Sequence, residues 1–147
     1  MNPSATLRPA RDRDLAFCRR LYYEAMRPTI ERIRAWREDR EDAEFARQWS
    51  AAEVSIVVGE AGDIGWMQIA RHDRDIFLNQ IYLDASSRNR GIGTRLVQSL
   101  LHDADRQGLA VVLNVVKDNP ALRLYERLGF RRIGEELHKF NLRRDPD

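Results

Sequence analysis

The sequence predicts an α+β fold, a mixed and mostly antiparallel sheet with a central parallel pair, flanked by about four helices. Three observations carry that reading. Apolar residues recur at helical spacing before Glu53, and strand-like runs with short polar breaks follow it. A helical stretch then separates two strands, an order that implies a right-handed parallel crossover.

The early helices come first. Leu15, Cys18, Leu21, Tyr22 and Met26 fall at helical spacing, with Asp12 as the expected N-cap. Pro28 is expected to interrupt the helix. Beyond it, Ile30, Ile33, Trp36, Phe45 and Trp49 lie in a highly charged stretch, read as a solvated face laced with weak ion pairs. A sharper reading has Glu31 and Glu38 lining a site for a cationic substrate. From Glu53, E-V-S-I-V-V-G-E, D-I-G-W-M-Q-I-A-R and D-I-F-L-N-Q-I-Y-L are broken at Ala61–Asp63 and His72–Arg74. They suit a three-stranded antiparallel meander.

After Gly91, residues Ile92, Leu96, Val97, Leu100, Leu101 and Ala104 form one apolar helix face, and Gly108 stops it. The nearly unbroken run L-A-V-V-L-N-V-V predicts a strand buried on both faces. Asn119 is placed to cap a helix opening at Pro120 and closing at Gly129. F-R-R-I-G-E-E-L and H-K-F-N-L-R predict a final hairpin.

A chain of 147 residues is the size of one domain, and residues 1–147 are read as a single unit. Net charge is only +2, so the basic bias of pI 9.0 is weak, and no Lys/Arg run points to nucleic acid. A lone cysteine, Cys18, excludes an internal disulfide and reads as a small buried hydrophobe. No histidine or carboxylate spacing suggests a metal. His72 and His102 read as surface residues, while His138 lies on a late strand. The N-terminal stretch M-N-P-S-A-T-L-R shows no signal-peptide pattern and no apolar run reaches membrane-spanning length, so the expected address is the cytoplasm.

The stretch S-S-R-N-R-G-I-G-T-R-L, Ser86 to Leu96, stands between a strand and a helix. Glycines admit close backbone approach, and the first turn of a helix offers unpaired N–H groups carrying partial positive charge. The stretch is therefore an anion cradle, to which Arg88 and Arg90 add charge. It is not a dinucleotide loop, since the third glycine is missing and apolar Val111 stands where a ribose-binding acid belongs. Nor is it a Walker loop, having no Gly-Lys-Ser/Thr.

Arg88, Gly91 and Gly93, together with N-P-A-L-R-L-Y-E-R-L-G-F downstream, resemble the GNAT superfamily of N-acetyltransferases along essentially the whole chain. Asn89 departs from the glycine many members carry there. The resemblance implies acetyl-coenzyme A as co-substrate, its pyrophosphate held by Arg88, Asn89, Arg90, Gly91, Ile92, Gly93 and Thr94. It also implies that the third meander strand splays from its parallel neighbour, the pantetheine pairing with Ile81, Tyr82 and Leu83. Ile81 N–H would face the thioester carbonyl, Asn119 would contact the cofactor or order its helix, and Tyr125 would be the general acid. Without that resemblance Asn119 reads as an N-cap, and Tyr125 as a core aromatic with a polar tip.

The base is harder to read. Strand positions where some members carry one hold Phe77 and Asn79, neither a proton acceptor at neutral pH. Either a carboxylate such as Glu24 acts through water, or the amine arrives partly neutral. The leading expectation is direct acetyl transfer to a primary amine, small molecule or peptide, with Tyr22, Tyr23, Glu24 and Glu31 shaping the acceptor region. A non-catalytic acyl-coenzyme A-binding or regulatory module is the alternative, and a nucleic-acid-binding domain ranks below both. No membrane partner is expected, and the resemblance allows a homodimer.

Overall fold

A computed structural model describes residues 5–147; Met1–Ser4, the start of the stretch read against a signal peptide, lie outside the described residues. The order is β1 (Thr6–Pro9), α1 (Leu15–Ile33), α2 (Glu38–Gln48), β2 (Val54–Gly59), β3 (Gly62–Arg71), β4 (Asp75–Leu83), α3 (Ile92–Gln107), β5 (Ala110–Val116), α4 (Ala121–Arg127), β6 (Arg131–Glu135) and β7 (Lys139–Arg144). The strands form a seven-stranded sheet ordered β1-β2-β3-β4-β5-β7-β6. β4 and β5 are parallel, and the pairings of β1 with β2, β2 with β3, β5 with β7 and β6 with β7 are antiparallel, the mixed α+β architecture that the sequence predicts.

The chain divides into two compact units, residues 1–68 with 80–92, and residues 69–79 with 93–147. In the first, Cys18 and Leu21 of α1, Phe45 and Trp49 at the end of α2, Val54 and Ile56 of β2 and Trp66 of β3 form one buried cluster. Phe45 meets Trp66 edge-on with centroids 5.9 Å apart, and Tyr82 packs on the same indole at 5.4 Å. Offset and edge contacts of this kind add to the burial of large apolar rings. Cys18 is fully buried, and desolvation pushes its thiol up to about 12. It behaves as the small hydrophobe expected of it.

In the second unit, α3 buries Ile92-side residues Val97, Leu100, Leu101 and Ala104, and β5 buries Val111, Leu113 and Val115. Gly108 closes α3 with φ +68°, and Arg144 at the end of β7 makes a two-pronged ion pair with Asp105 of α3 at 2.8 and 3.2 Å.

Three local expectations are corrected. α1 begins at Leu15 after a short turn over Asp12–Asp14, so Asp12 is not its cap. Asp14 occupies the N-cap position, but its carboxylate accepts from Arg11 N–H at 2.8 Å and from Arg8 at 3.0 and 3.1 Å, a guanidinium being the stronger partner. Pro28 lies inside α1 rather than ending it. Although proline removes a donor to the carbonyl four residues back, buried Ile30 beyond it and the Arg20–Glu24 and Arg27–Glu31 pairs favour continuing the helix. β5 is not buried on both faces: Asn114 is exposed, and Val112 and Val116 are half-buried.

The Arg8 guanidinium holds the Asp14 carboxyl below the usual range, against the desolvation that would raise it. A carboxyl with a depressed folded pKa stabilises the fold above its unfolded value of about 3.9, and that contribution fades as pH falls through the folded value. Asp14→Asn is therefore expected to lower stability by about 1–3 kcal/mol at neutral pH. The deficit should shrink below the carboxylate range, and urea unfolding at both pH values checks it.

Candidate active site

The site begins with an irregularity in β4. His72 N–H donates to Asp75 O at 2.9 Å, and Asp84 N–H donates to Ile64 O at 2.8 Å. Eight steps of chain separate Ile64 from His72, whereas nine separate Asp75 from Asp84, so β4 carries one more residue than β3 between these bonds. Such a bulge re-aims the strand. The alternating burial of Ile76 and Leu78 lapses within the same strand, every residue from Asn79 to Leu83 being half-buried.

The parallel ladder changes there too. β4 pairs with β5 at Asp75↔Ala110, Ile76↔Val111 and Phe77↔Val112, and the register ends at that third pair. β4 runs on to Leu83 and β5 to Val116. The end of β4 approaches β3 closely instead. A Cβ at Gly65 would collide with the Tyr82 carbonyl oxygen and stand 3.2 Å from Leu83 Cα, so only glycine admits the strand here.

Ile81, Tyr82 and Leu83 thus form one continuous half-buried segment. Tyr82 turns its ring toward Trp66 and Tyr22, the latter edge-on at 5.6 Å, and its hydroxyl donates to Gln80 Oε1 at 2.7 Å. Its side chain belongs to the packing.

The glycine-rich turn follows directly. Asp84 caps it: the carboxylate accepts from Ser87 N–H and Ser86 Oγ, both at 3.0 Å. Burial would raise the Asp84 carboxyl, but these bonds outweigh it and hold it below its ordinary value. Arg88 donates from Nε to Leu83 O at 2.9 Å, tying the turn to the strand. Asn89 at φ +61° and Gly91 at φ +81° are left-handed, and α3 opens at Ile92. Left-handed residues ahead of a helix turn successive N–H groups toward one concavity, to which the unpaired N–H groups of the first helical turn, Gly93 and Thr94 included, add. A Cβ built at Gly91 meets nothing within 4 Å, so the turn has open room in front of it. Arg90 is exposed.

In the second unit, Asn119 accepts Ala121 N–H at 2.9 Å and so opens α4 as expected, with helical residues beginning at Ala121 and Gly129 closing the helix at φ +98°. Tyr125 is 8% exposed, meets Phe130 at 5.6 Å, and burial raises its phenol above the ordinary value. The hydroxyl is therefore firmly protonated at neutral pH, the state a proton donor needs.

The carboxylates proposed for a cationic acceptor are each engaged. Glu24 pairs with Arg20 and Glu31 with Arg27, both at 3.2 Å on the exposed face of α1, and Glu38 accepts Trp36 Nε1–H at 2.7 Å. Tyr23 bonds Asp42 and packs edge-on against Trp36 at 4.8 Å. Sequence reasoning missed Gly65, the bulge and the Asp84 cap. The first two depend on which strand lies opposite, but D-A-S-S did carry a capping signal. Among the described residues, no three His, Cys, Asp or Glu side chains gather as a metal site, and no helix is long and apolar enough to cross a membrane.

A mixed sheet with a three-pair parallel ladder and a left-handed turn feeding a helix is the arrangement of this chain. The chain belongs to the acetyltransferase (GNAT) family, whose model matches residues 16–130. It is 34% identical over 99 residues to the N-alpha-acetyltransferase RimI of Mycobacterium tuberculosis (strain ATCC 25618 / H37Rv), an alignment covering 63% of this chain and 61% of that protein. The chain thus spans less than two thirds of that relative. Its fold is similar to PaiA N-acetyltransferase from Thermoplasma acidophilum in complex with coenzyme A, with TM-score 0.74, 14% identity and coverage of 97% and 99% of the two chains. It also resembles a chain of the NatC complex bound to Gag peptide and CoA, with TM-score 0.67, 18% identity and full coverage of both, 100% each.

Gly65→Ala is expected to force β4 away from β3 and to lower stability by about 1–3 kcal/mol, as overpacking does. Thermal unfolding followed by circular dichroism measures it; an unchanged Tm would show that the strand yields without cost.

Proposed function

We propose that this chain is an acetyl-coenzyme A-dependent N-acetyltransferase that moves the acetyl group directly to a primary amine, of a small molecule or a peptide, within a ternary complex. The observation that carries the reading is the turn itself: left-handed Asn89 and Gly91 immediately before the α3 N-terminus, with open space at Gly91. Backbone N–H groups so arranged suit the pyrophosphate of coenzyme A. Family membership and the relatives' names support the same donor.

In this reading, residues Arg88 to Thr94 hold the pyrophosphate, and the main chain of Ile81, Tyr82 and Leu83 pairs with the pantetheine arm as a strand would. Ile81 N–H donates to the thioester carbonyl and stabilises the oxyanion. Asn119 orders the start of α4, and Tyr125 protonates the departing thiolate. The cytoplasm is where we place the reaction. An acyl-coenzyme A-binding module without catalysis is the second reading, favoured by Phe77 and Asn79 standing where a strand base would be, and it predicts cofactor binding with no thiol release for any amine.

Gly91→Glu should abolish acetyl-coenzyme A binding by calorimetry, because it puts a carboxylate into the anion site; unchanged affinity removes the basis of the assignment. Tyr125→Phe should lower kcat by about tenfold to a hundredfold with little effect on cofactor affinity. Equal turnover in a thiol-release assay would make Tyr125 a packing residue.

A further inference from the structure

A series of oxidisable rings runs through the first unit. Trp66 of β3 is fully buried, and the Tyr82 ring lies 5.4 Å from it, centroid to centroid. Tyr22 stands 5.6 Å from Tyr82, Tyr23 stands 6.0 Å from Tyr22, and Trp36, in the loop between α1 and α2, stands 4.8 Å from Tyr23. Phe45 adds a second bridge between Tyr22 and Trp66, at 5.3 and 5.9 Å. All of these residues belong to the one compact unit, residues 1–68 with 80–92. Rings at such separations are in packing contact, close enough for an electron to pass from one to the next.

What differs along the series is the company each ring keeps. Trp66 Nε1–H is buried with no hydrogen-bond acceptor among the described residues. An indole that loses an electron there cannot shed its proton and remains a buried, uncompensated positive charge, which is costly. The Tyr82 hydroxyl donates to the amide oxygen of Gln80 at 2.7 Å, and an amide takes up no proton at neutral pH. At the outer end Trp36 Nε1–H donates to Glu38 at 2.7 Å, but the Arg27 guanidinium lies 4.7 Å over the ring and repels a positive hole.

Tyr23 is placed differently. Its hydroxyl donates to the Asp42 carboxylate of α2, an acceptor able to take the proton. Burial and that carboxylate hold the phenol above its ordinary value, so it stays neutral until an electron leaves. A phenol that has lost an electron is a strong acid, and its proton then crosses a hydrogen bond already made. The Asp42 side chain is 41% exposed, so the proton it receives passes on to water. Cys18, buried in the same cluster with its thiol pushed up to about 12, keeps its proton and offers no competing thiolate.

We propose that this series conducts an oxidising hole and that Tyr23, with Asp42 as proton acceptor, is its terminus, a tyrosyl-radical site that drains one-electron oxidation away from Trp66 and Cys18. Nothing in it depends on the acetyltransferase reading. The co-reactant is a one-electron oxidant of the carbonate-radical class, which takes one electron from an indole ring and is reduced to its anion. The indole radical cation is refilled from the neighbouring ring, and the hole moves toward Tyr23. There the ring gives up one electron, the O–H bond breaks with its proton going to Asp42, and a neutral phenoxyl is left. Of the neutral phenoxyl and indolyl radicals, the phenoxyl is the more stable at neutral pH. Each event delivers one electron to the oxidant and one proton to water.

The test is ultraviolet flash photoionisation of the full chain, which places the hole on an indole, followed by transient absorption. With Trp36→Phe and Trp49→Phe combined, Trp66 is the only indole left of three, and its indolyl signal should decay as a phenoxyl signal grows. Adding Tyr23→Phe should remove most of that growth, Asp42→Asn should slow it severalfold, and Tyr82→Phe should prolong the indolyl signal, each with the circular dichroism of the parent. Steady exposure to carbonate radical anion, read by peptide mapping, should oxidise Tyr23 in the wild type and Trp66 and Cys18 in Tyr23→Phe. That mapping keeps the native tryptophans, so it decides the matter even where the double replacement does not fold. Phenoxyl growth unchanged by Tyr23→Phe or Asp42→Asn, indolyl decay unchanged by Tyr82→Phe, or equal oxidation of Trp66 with and without the Tyr23 hydroxyl overturns the proposal.

Discussion

The parallel ladder between β4 and β5 lasts three residue pairs, and the geometry of the site follows from where it stops. Backbone N–H and C=O groups must be paired or solvated, so the point where a ladder stops matters to the chain around it. The extra residue in β4 and the close approach at Gly65 accompany this departure on the β3 side. Asp84 and Arg88 then fix the direction in which the chain leaves, so that the turn into α3 arrives already shaped. A ligand meeting a preformed turn avoids the entropy of ordering it.

Much of this was legible in the sequence because it is governed by neighbours along the chain. The meander, the crossover, the α3 face and the caps at Asn119, Gly108 and Gly129 are spacing and local conformation, and the architecture agrees with them. What was not legible depends on residues distant in sequence. Asp12 does not cap α1 and the Asp14 carboxylate is taken by Arg8, while Pro28 was carried through by packing and ion pairs around it. Asn114 was read as part of a fully buried run because valines surround it; its exposure depends on what covers the other face. Among the site residues, the turn was visible as a motif. The bulge in β4 and the close approach at Gly65 are assembled only when distant strands are set side by side.

The abundance of arginine, which first suggested an anionic partner, has a different distribution in the fold. On α1 and α2 the ion pairs run along a helix or between the two helices, as in Arg20–Glu24, Arg27–Glu31 and Arg34–Glu41, where the Glu41 carboxylate is buried. Exposed pairs of this kind contribute little stability each. Their effect is to offset acids and bases locally along the helical surface.

The two edges of the sheet are β1 and β6. β1 is four residues long and ends in Pro9, which has no N–H to offer a neighbour. β6 is five residues long, exposed throughout, and carries Arg131, Arg132 and the break in register near Ile133. Short, charged and irregular edges are poor templates for strand addition. The break in register near Ile133 therefore guards the outermost strand against uncontrolled sheet extension.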